Sequence, residues 1–351
     1  MKAAPVHRAL GELDPGVERL LVHTGQHYDA EMSDVFLDQL GLPRPDVFLG
    51  VGSGTHAEQT AAALVGIERI LAERRPALVV VPGDVNSTLA AALAAVKLRI
   101  PVAHLEAGLR SFDREMPEEH NRRLTDHISD VLLVHSESAM DNLRAEGIEE
   151  GVHFVGNTMI DSLLAHVDAA RASQPWLELG LEAGGYALVT LHRPSLVDDD
   201  SRLAATVDGL TALQQSLPVV FPVHPRTRVR LERLGLDRRL GDEGITVMGP
   251  LGYLAFLGLE AEARLVLTDS GGVQEETSAL GVPCFTLRDG TERPVTVELG
   301  TNTVLGARPE RIAEIPGLLD AAVPGEPIPL WDGRAGVRAA ETLLGYLEGR
   351  S

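Results

Sequence analysis

Short apolar runs alternate with longer amphipathic segments along most of the chain. The runs are rich in Val, Ile and Leu, which is typical of buried strands, whereas the longer segments carry apolar residues at helical spacing. Within residues 61–76, one helical face carries Leu64, Ile67, Ile70 and Leu71. Strands and helices that alternate in this way predict the α/β class, with parallel sheets covered by helices on both faces. The predicted strands are 20–25, 76–81, 100–108, 130–136, 186–192, 219–224, 245–249, 264–270 and 283–288.

The pattern restarts after Gly156, which predicts two domains. The first comprises residues 1–156 together with a returning C-terminal helix, 335–351, and the second comprises residues 157–334. We expect two Rossmann-like, doubly wound domains that face each other, with the active site in the cleft between them. The chain opens in a helix-like segment, whereas a doubly wound domain opens with a strand. We therefore expect that this first strand is missing, or that the true start of the protein lies upstream.

Composition narrows the range of partners. The net charge of −20 argues against a nucleic-acid backbone or an anionic membrane, and aromatic residues, at 4%, are too few for extensive base stacking. No apolar run approaches the roughly 18 residues of a membrane span, and the N-terminus lacks the apolar segment of a secretion signal. The single cysteine, Cys284, lies in a strand-like run and fits a core position in a reducing compartment. We therefore expect a cytoplasmic protein.

Three acids of the first domain lie where parallel sheets bind their ligands. Asp84 ends one predicted strand and Glu106 ends the next, so a standard crossover brings both carboxylates to the same edge of the sheet. Glu118 follows in a loop that leads into a helix, and Pro117 suits the start of that helix. The alternative interpretation is structural, because Asp84 can cap its helix and Glu118 can complement a helix dipole.

Two histidines end strands of the second domain. His192 and His224 each follow an apolar run and precede a proline or an Arg-Pro pair. Both side chains can reach one cleft, although hydrogen-bonded packing is the alternative for either of them. The chain contains no CxxC or HExxH spacing, so we predict neither a metal ion nor another cofactor.

A paired glycine separates a buried strand from a helix at residues 270–272, Ser-Gly-Gly. Glycines let the backbone approach a ligand closely, and the free N–H groups of a helix start favour a phosphate. The carboxylates at 275 and 276 follow within the first turns and suit ribose hydroxyls better than phosphate. Arg293, on a loop after a strand, can also bind phosphate. Close packing without a ligand is the alternative for this turn, and residues 50–56, GVGSGTH, match no phosphate-loop spacing and predict a plain loop.

These motifs together resemble one family. The segments GDVNST (83–88), HLEAGLRSFDREMPEEHNR (104–122), TLHRP (190–194), LTDSGGVQEE (267–276) and RDGTERP (288–294) occur in the order found in the non-hydrolysing UDP-N-acetylglucosamine (UDP-GlcNAc) 2-epimerases. TGQHYDAEMSDVFLDQLGLP (24–43) is also similar to that family. The resemblance covers nearly the whole chain and implies the two-domain GT-B fold, a homodimer, and a role in supplying N-acetylmannosamine (ManNAc) for cell-surface polysaccharides.

The resemblance also implies the positions of the site residues. The family's catalytic positions match Asp84, Glu106, Glu118 and His192. The turn that holds the UDP diphosphate matches Ser270, Gly271 and Gly272, and the ribose-binding carboxylate matches Glu276. The remaining substrate-binding positions match Arg293 and Phe256 on the nucleotide side, Leu251 at the uracil, and Lys2 near the reacting sugar.

The chain departs from the family pattern at three places. The family's first strand and a Gly-Thr-Arg-Pro-Glu turn precede the lysine that matches Lys2, whereas Met1 stands directly before it here. The family's glutamates after HRP and TERP are replaced by Ser195 and Val295.

The implied reaction interconverts UDP-GlcNAc and UDP-ManNAc. Because no carbonyl adjoins C2 of the sugar, the feasible route is loss of UDP from C1 with the C2 proton, which gives 2-acetamidoglucal, and re-addition after protonation from the other face. Alternatives are a hydrolysing epimerase, an epimerase for a 2,3-diacetamido uronic acid nucleotide sugar, a GT-B glycosyltransferase, or a UDP-sugar sensor without activity.

Overall fold

The protein, described here by a computed structural model for residues 1–25, 40–321 and 324–349, forms two compact units. Unit 1 comprises Met1–Ser162 and Pro329–Ser351, and unit 2 comprises Leu163–Ile328. The division proposed from the sequence places these limits at residues 156 and 334 instead. Both units are built from parallel strands and helices, so the predicted α/β class is confirmed.

The described residues of unit 1 contain two parallel sheets. A short one pairs β1 (Val22–His23) with β2 (Val47–Phe48). The other has the order β3-β4-β5-β6 and consists of Val79–Pro82, Val102–Ala107, Val131–Val134 and Val152–Phe154. In the part of unit 1 that the structure describes, the helices are α1 (Ala3–Leu13), α2 (His56–Arg74), α3 (Asn86–Lys97), α4 (Pro117–His127), α5 (Glu137–Ala145), the start of α6 (Thr158–Ala172), and α16 (Ala335–Glu348).

The four-stranded sheet is covered on both faces, as the near-continuous apolar strands predict. Successive residues of β5 alternate between two separate clusters of buried side chains: Val131 and Leu133 lie in one, and Leu132 and Val134 in the other. All six residues of β4 are buried, including its two charged or titratable side chains. This central strand therefore places polar groups in the interior, where each one needs a partner.

The C-terminal helix α16 packs against α1 within unit 1. The Asp161 carboxylate accepts hydrogen bonds from the first amides of α16, at 3.1 Å from Ala335 N and 2.6 Å from Gly336 N. A negative charge at a helix N-terminus is favourable. A Cβ at Gly336 would lie only 2.6 Å from the Cβ of Pro5, so the absence of a side chain permits the close approach of the two helices.

Unit 2 contains one six-stranded parallel sheet with the order β12-β11-β10-β7-β8-β9. In chain order, β7 to β12 are Ala187–Thr190, Val219–Pro222, Thr246–Met248, Leu265–Thr268, Cys284–Thr286 and Asn302–Val304. The helices are the rest of α6, then α7 (Pro175–Glu178), α8 (Pro194–Val197), α9 (Asp200–Gln214), α10 (Pro225–Leu234), α11 (Leu236–Asp242), α12 (Tyr253–Ala261), α13 (Gly271–Leu280), α14 (Val295–Glu298), a 3₁₀ helix (Pro309–Glu314) and α15 (Ile315–Asp320).

The register of the β7–β10 pair positions the two segments that follow these strands. Thr190 pairs with Thr268, so the chains that leave these two strands emerge side by side at the carboxyl end of the sheet. The neighbouring strand β11 carries Cys284, which is fully buried, and burial raises the pKa of its thiol to about 12. Cys284 is therefore an inert core residue, as predicted.

Most predicted elements are present with shorter bounds. Three strands, β2, β6 and β12, were not predicted, because they are short and only partly buried and their apolar signal is therefore weak. Residues 50–55 form a loop, and Thr55 then caps α2 in a reciprocal pair with Glu58. Of the family-like segment 24–43, residues 26–39 lie outside the described residues.

Within the described ranges, no helix is long and apolar enough to cross a membrane. The same residues contain no group of three or more His, Cys, Asp or Glu side chains arranged to hold a metal ion.

Candidate active site

Asp84 lies in a tight turn between β3 and α3. Gly83 precedes it with a φ of +67°, a backbone conformation that favours glycine. The Asp84 carboxylate pairs with the guanidinium of Arg122, at 2.9 Å from Nε and 2.7 Å from Nη2, and the Asn121 amide donates to the Asp84 carbonyl at 2.9 Å. The Asp84 side chain is 20% exposed, so its carboxylate is fixed by Arg122 and accessible from solvent.

Glu106 lies at a bulge near the end of β4. The pairing with β5 shifts at this residue, and its φ of +72° is unusual for a residue other than glycine. The strained backbone turns the Glu106 carboxylate toward Lys2 Nζ, with which it forms an ion pair. A Cβ at Gly83 would lie 3.0 Å from Lys2 Nζ and 3.5 Å from Glu106 Oε2. The structure therefore brings the predicted residues Lys2 and Glu106 together beside the turn that carries Asp84.

Glu118 lies in the first turn of α4, directly after Pro117. Its side chain is partly exposed, and among the described residues its carboxylate accepts no hydrogen bond. The same helix carries Arg122 one turn later, and Arg122 holds Asp84. Since residues four apart share a helix face, α4 presents Glu118 on the face that is tied to the Asp84 turn.

His192 follows β7 and is fixed by Asp269, which follows the adjacent strand β10. Asp269 is fully buried and accepts from the backbone amides of His192 and Arg193, both at 2.8 Å from Oδ2. Its Oδ1 lies 3.0 Å from Nδ1 of the His192 ring. Because Nδ1 is engaged and the side chain is 36% exposed, Nε2 is the ring nitrogen available to a ligand.

His224, the second predicted histidine, lies next to His192. The two ring centroids are 5.5 Å apart. Burial, and then the charge of His192, lowers the pKa of His224, so this ring is neutral at pH 7.

The Ser-Gly-Gly turn begins α13. Ser270 is the N-cap in an extended conformation, and its amide donates to Thr268 Oγ1 at 2.9 Å. Gly271 is the first helical residue, and a Cβ there would lie 2.3 Å from Arg293 Nη1 and 2.8 Å from Glu292 Oε1. The glycine is therefore required for Arg293 to reach the helix N-terminus. We predict that the cation and the amides of Gly271 and Gly272 form an anion-binding surface there.

Arg293 is held in place by two buried carboxylates. Its Nη1 lies 2.6 Å from Glu292 Oε1, and its Nε lies 2.9 Å from Glu275 Oε1. Arg288 contacts the other oxygen of Glu292 at 2.7 Å. The Glu275 carboxylate is therefore engaged by the Arg293 guanidinium.

Glu276 is 5% exposed, and burial, followed by the charge of Glu275, raises the pKa of its carboxyl to about 8. Behind it lies Glu260, which is fully buried, and burial together with the charge of Glu276 raises the pKa of Glu260 well above its ordinary value. Two close buried carboxyls cannot both ionise readily, so this pair holds a proton at neutral pH.

Leu251 and Phe256 pack at the edge of an apolar cluster in unit 2. Both are partly buried, Leu251 before α12 and Phe256 within it, and the cluster includes Trp176 and Tyr186. Their contact with a nucleotide stays a prediction.

Sequence reasoning missed three residues of these sites: His104, Arg122 and Asp269. Each lies inside a segment that carries the family resemblance. His104 lies within β4, and Asp269 directly follows β10 but is fully buried. A polar or charged residue within or directly after an apolar run was the available signal for both, since such a group, once buried, requires a partner elsewhere in the fold.

The chain has two α/β units, each built on parallel strands. One unit has acids at its strand ends, and the other has a glycine turn at a helix start. These features indicate a nucleotide-sugar enzyme of the GT-B fold class. The family model of UDP-N-acetylglucosamine 2-epimerase matches residues 11–344. The chain belongs to this family.

Two relatives and one solved structure illustrate the similarity. UDP-N-acetylglucosamine 2-epimerase of Methanocaldococcus jannaschii is 43% identical over 350 residues, which cover 98% of this chain and 95% of the relative. The crystal structure of the M. jannaschii enzyme with UDP-GlcNAc and UDP matches with a TM-score of 0.90 over 98% of this chain and 96% of that one. UDP-2,3-diacetamido-2,3-dideoxy-D-glucuronate 2-epimerase of Pseudomonas aeruginosa is 46% identical over 319 residues, which cover 90% of this chain and 87% of the relative.

Proposed function

We propose that this protein is a non-hydrolysing epimerase that interconverts UDP-GlcNAc and UDP-ManNAc. The observation that carries the proposal is the pair of sites described above in a chain that matches, over nearly its full length, a family member crystallised with UDP-GlcNAc and UDP. Unit 1 supplies accessible acids and unit 2 supplies an anion-binding helix start. The reaction needs both kinds of group, and it needs no metal ion or other cofactor.

The proposed reaction begins with departure of UDP from C1. Positive charge then develops on the sugar ring, and carboxylates stabilise such oxocarbenium character, as they do in glycosidases. We assign this role to Glu106, whose buried carboxylate is fixed by Lys2. The leaving diphosphate is received by the amides of the Ser270 turn, with Arg293 at the same helix start. His192 holds or protonates that phosphate through Nε2 while Asp269 orients the ring.

The C2 proton requires a second set of groups. A base removes it to form 2-acetamidoglucal, and an acid on the other face returns a proton, so one group is not sufficient. We assign Asp84 as the base and Glu118 as the second acid/base. Arg122 supports this assignment of two groups. It binds the Asp84 carboxylate and lies on α4, the helix that also carries Glu118.

Incubation of UDP-GlcNAc with the protein in D₂O tests the proposal. We expect UDP-ManNAc that carries deuterium at C2, together with deuterium in the recovered UDP-GlcNAc, measured by NMR and mass spectrometry. Free ManNAc and UDP would identify a hydrolysing enzyme, sugar transfer without C2 exchange would identify a glycosyltransferase, and binding without turnover would identify a sensor.

A second candidate substrate is supported by the P. aeruginosa relative. Its 46% identity is as high as that of the UDP-GlcNAc enzyme, although the substrate in its name carries a uronic acid carboxylate and a second acetamido group. The same D₂O experiment with the diacetamido glucuronate nucleotide in parallel separates the two. We expect the higher kcat/KM with UDP-GlcNAc, and the reverse ratio would assign the uronate as substrate.

We also propose that the protein acts in the cytoplasm as a homodimer that supplies ManNAc for cell-surface polysaccharide. The family membership supports these assignments, and the single, buried cysteine fits a reducing compartment.

UDP binding is expected to release a proton from Glu276. Its carboxyl has a raised pKa of about 8 in the free protein, whereas two ribose hydroxyls both donate and therefore favour the ionised carboxylate. Affinity for UDP should increase from about pH 7 to pH 9, since UDP itself is already ionised above its second phosphate pKa of about 6. Calorimetry in two buffers of different ionisation enthalpy measures the released proton.

The Glu276→Gln variant should bind UDP at least about tenfold more weakly and lose the pH dependence, because a charged hydrogen bond is replaced by neutral ones. Glu298→Gln, on the exposed side of α14, is the matched control and should behave as the wild type. If the UDP affinity of Glu276→Gln kept the pH dependence of the wild type, Glu276 would not be the group that binds the ribose.

A further inference from the structure

His104 is a fully buried side chain in the middle of β4 to which the proposed reaction assigns no role. Its Nε2 lies 2.7 Å from the carbonyl oxygen of Gly83, and its Nδ1 lies 2.6 Å from Oδ1 of Asp126. Gly83 is the residue immediately before Asp84. The ring therefore connects the base-carrying turn to a carboxylate of α4.

Both contacts require the ring to donate. The Gly83 carbonyl can only accept, so Nε2 carries a proton. The other oxygen of Asp126 accepts from Arg110 Nη1 at 2.7 Å and from the Gly108 amide at 3.1 Å, which is the environment of an ionised carboxylate. Nδ1 consequently also carries a proton, and the ring is an imidazolium inside the protein.

The charges around the ring agree with this protonation. Burial alone would lower the pKa of His104, but the Asp126 carboxylate, the Gly83 carbonyl and the charge of Glu106 together raise it. Burial would raise the pKa of Asp126, but His104 and Arg110 lower it. Arg110 is itself balanced by a second carboxylate on the neighbouring segment, Glu146. The imidazolium is thus compensated by fixed charges rather than by solvent.

The pair of His104 and Asp126 makes hydrogen bonds to two turns, the one before Asp84 and the one after Glu106. Through His104 it holds the Gly83 carbonyl, and through Asp126 it holds the Gly108 amide, which follows Glu106 by two residues. Gly83, Glu106 and Gly108 all have positive φ, at +67°, +72° and +81°. The two glycines adopt such a φ readily, whereas Glu106 keeps it only where the surrounding structure imposes it. The His104–Asp126 pair contacts the turn before Asp84 and the residue that lies two positions after Glu106.

We propose that His104, held as an imidazolium by Asp126, is a positioning residue that sets the direction of Asp84 and the strained turn of Glu106. This inference rests on the proposed epimerase function, because it concerns the geometry of that reaction. His104 has no contact with substrate in the proposal: it acts on the Asp84 turn through the Gly83 carbonyl and on the Glu106 turn through Asp126, which accepts from the Gly108 amide.

The test compares two substitutions of one residue. Phenylalanine in His104→Phe keeps a planar ring but cannot donate to Gly83, so kcat should fall at least about tenfold while KM for UDP-GlcNAc changes less than about twofold. Glutamine in His104→Gln carries an amide that can reach the Gly83 carbonyl, and we expect it to restore kcat to within about threefold of the wild type. Thermal unfolding of each variant reports its folded fraction.

The protonation state gives a measurement that does not depend on turnover. In ¹⁵N NMR of the wild type, the histidine signal that His104→Gln removes should show two protonated ring nitrogens from about pH 6 to pH 8, above the ordinary histidine pKa of about 6.5. Asp126→Asn should convert the same ring to the neutral form in that range, because burial then acts without the carboxylate.

Three results would overturn the inference: a wild-type kcat in His104→Phe, a His104→Gln variant no more active than His104→Phe at equal folded fraction, or a wild-type ring with one protonated nitrogen. If the wild type itself lacks epimerase activity, the proposed function fails, whereas the NMR result still decides the state of His104.

Discussion

Asp84→Asn is expected to lower kcat for UDP-GlcNAc epimerisation at least about 10²-fold, with little change in KM. Asparagine keeps the size of the side chain and the backbone hydrogen bond from Asn121, but it cannot take up the C2 proton. The reaction in D₂O should therefore lose C2 exchange in step with turnover, since both depend on the same proton transfer. Initial rates and deuterium incorporation, measured on one sample, check this result.

The substitution also removes one partner of a buried arginine, so stability has to be measured alongside activity. Arg122 is only 3% exposed in its side chain, but it keeps Glu119 at 3.2 Å, which limits the loss. Asp141→Asn is the matched control, because Asp141 is 70% exposed and pairs with Arg144 at the surface, where such pairs contribute little. If Asp84→Asn turned over normally, Asp84 would not be the base.

Gly271→Ala is expected to weaken UDP binding about 100-fold, equivalent to about 2.7 kcal/mol. The new Cβ would lie 2.3 Å from Arg293 Nη1, so either the guanidinium or the start of α13 has to move. The guanidinium is tied to Glu275 and Glu292, and its displacement would break a buried ion-pair network as well as the anion-binding surface. Isothermal titration calorimetry with UDP measures the loss of affinity.

Gly241→Ala provides the control for a helical glycine. Gly241 lies in α11, and a Cβ there meets no atom within 4 Å. Alanine favours a helix over glycine by roughly 1 kcal/mol, so this variant should bind UDP normally and unfold at the same or a slightly higher temperature. Normal UDP affinity in Gly271→Ala would show that the turn does not hold the diphosphate.

The proposed roles of the two units follow from what each step of the proposed reaction requires. Proton transfer at C2 needs accessible titratable oxygens: in unit 1, Asp84 has an accessible carboxylate that Arg122 fixes, and Glu118 is a partly exposed acid at the start of α4. Departure of a diphosphate needs fixed positive ends of dipoles and a cation, which unit 2 offers at the start of α13. Arg122 holds the Asp84 carboxylate, and Glu275 and Glu292 hold Arg293, before a substrate binds, so the proposed reaction requires little reorganisation of these two groups.

The fold class and several candidate site residues could be predicted from the sequence, because both depend on local sequence patterns and on a topological rule. The alternation of apolar runs and amphipathic segments determined the parallel α/β class, and the rule that ligands meet the carboxyl ends of strands singled out Asp84, Glu106 and His192. The paired glycine at 271 and 272 predicted a helix start, which the structure has at Gly271, and ligand binding there stays a prediction. These inferences need only neighbours along the chain.

The tertiary structure alone decided which distant residues hold the site together. Lys2 pairs with Glu106, Arg122 with Asp84, and Asp269 with His192, across separations of 104, 38 and 77 residues. Such pairs depend on strand order, on register, and on the positive φ that turns Glu106, none of which a local pattern encodes. A buried charge shows in the sequence that a partner must exist, because desolvation would otherwise be too costly, but only the fold shows which residue the partner is.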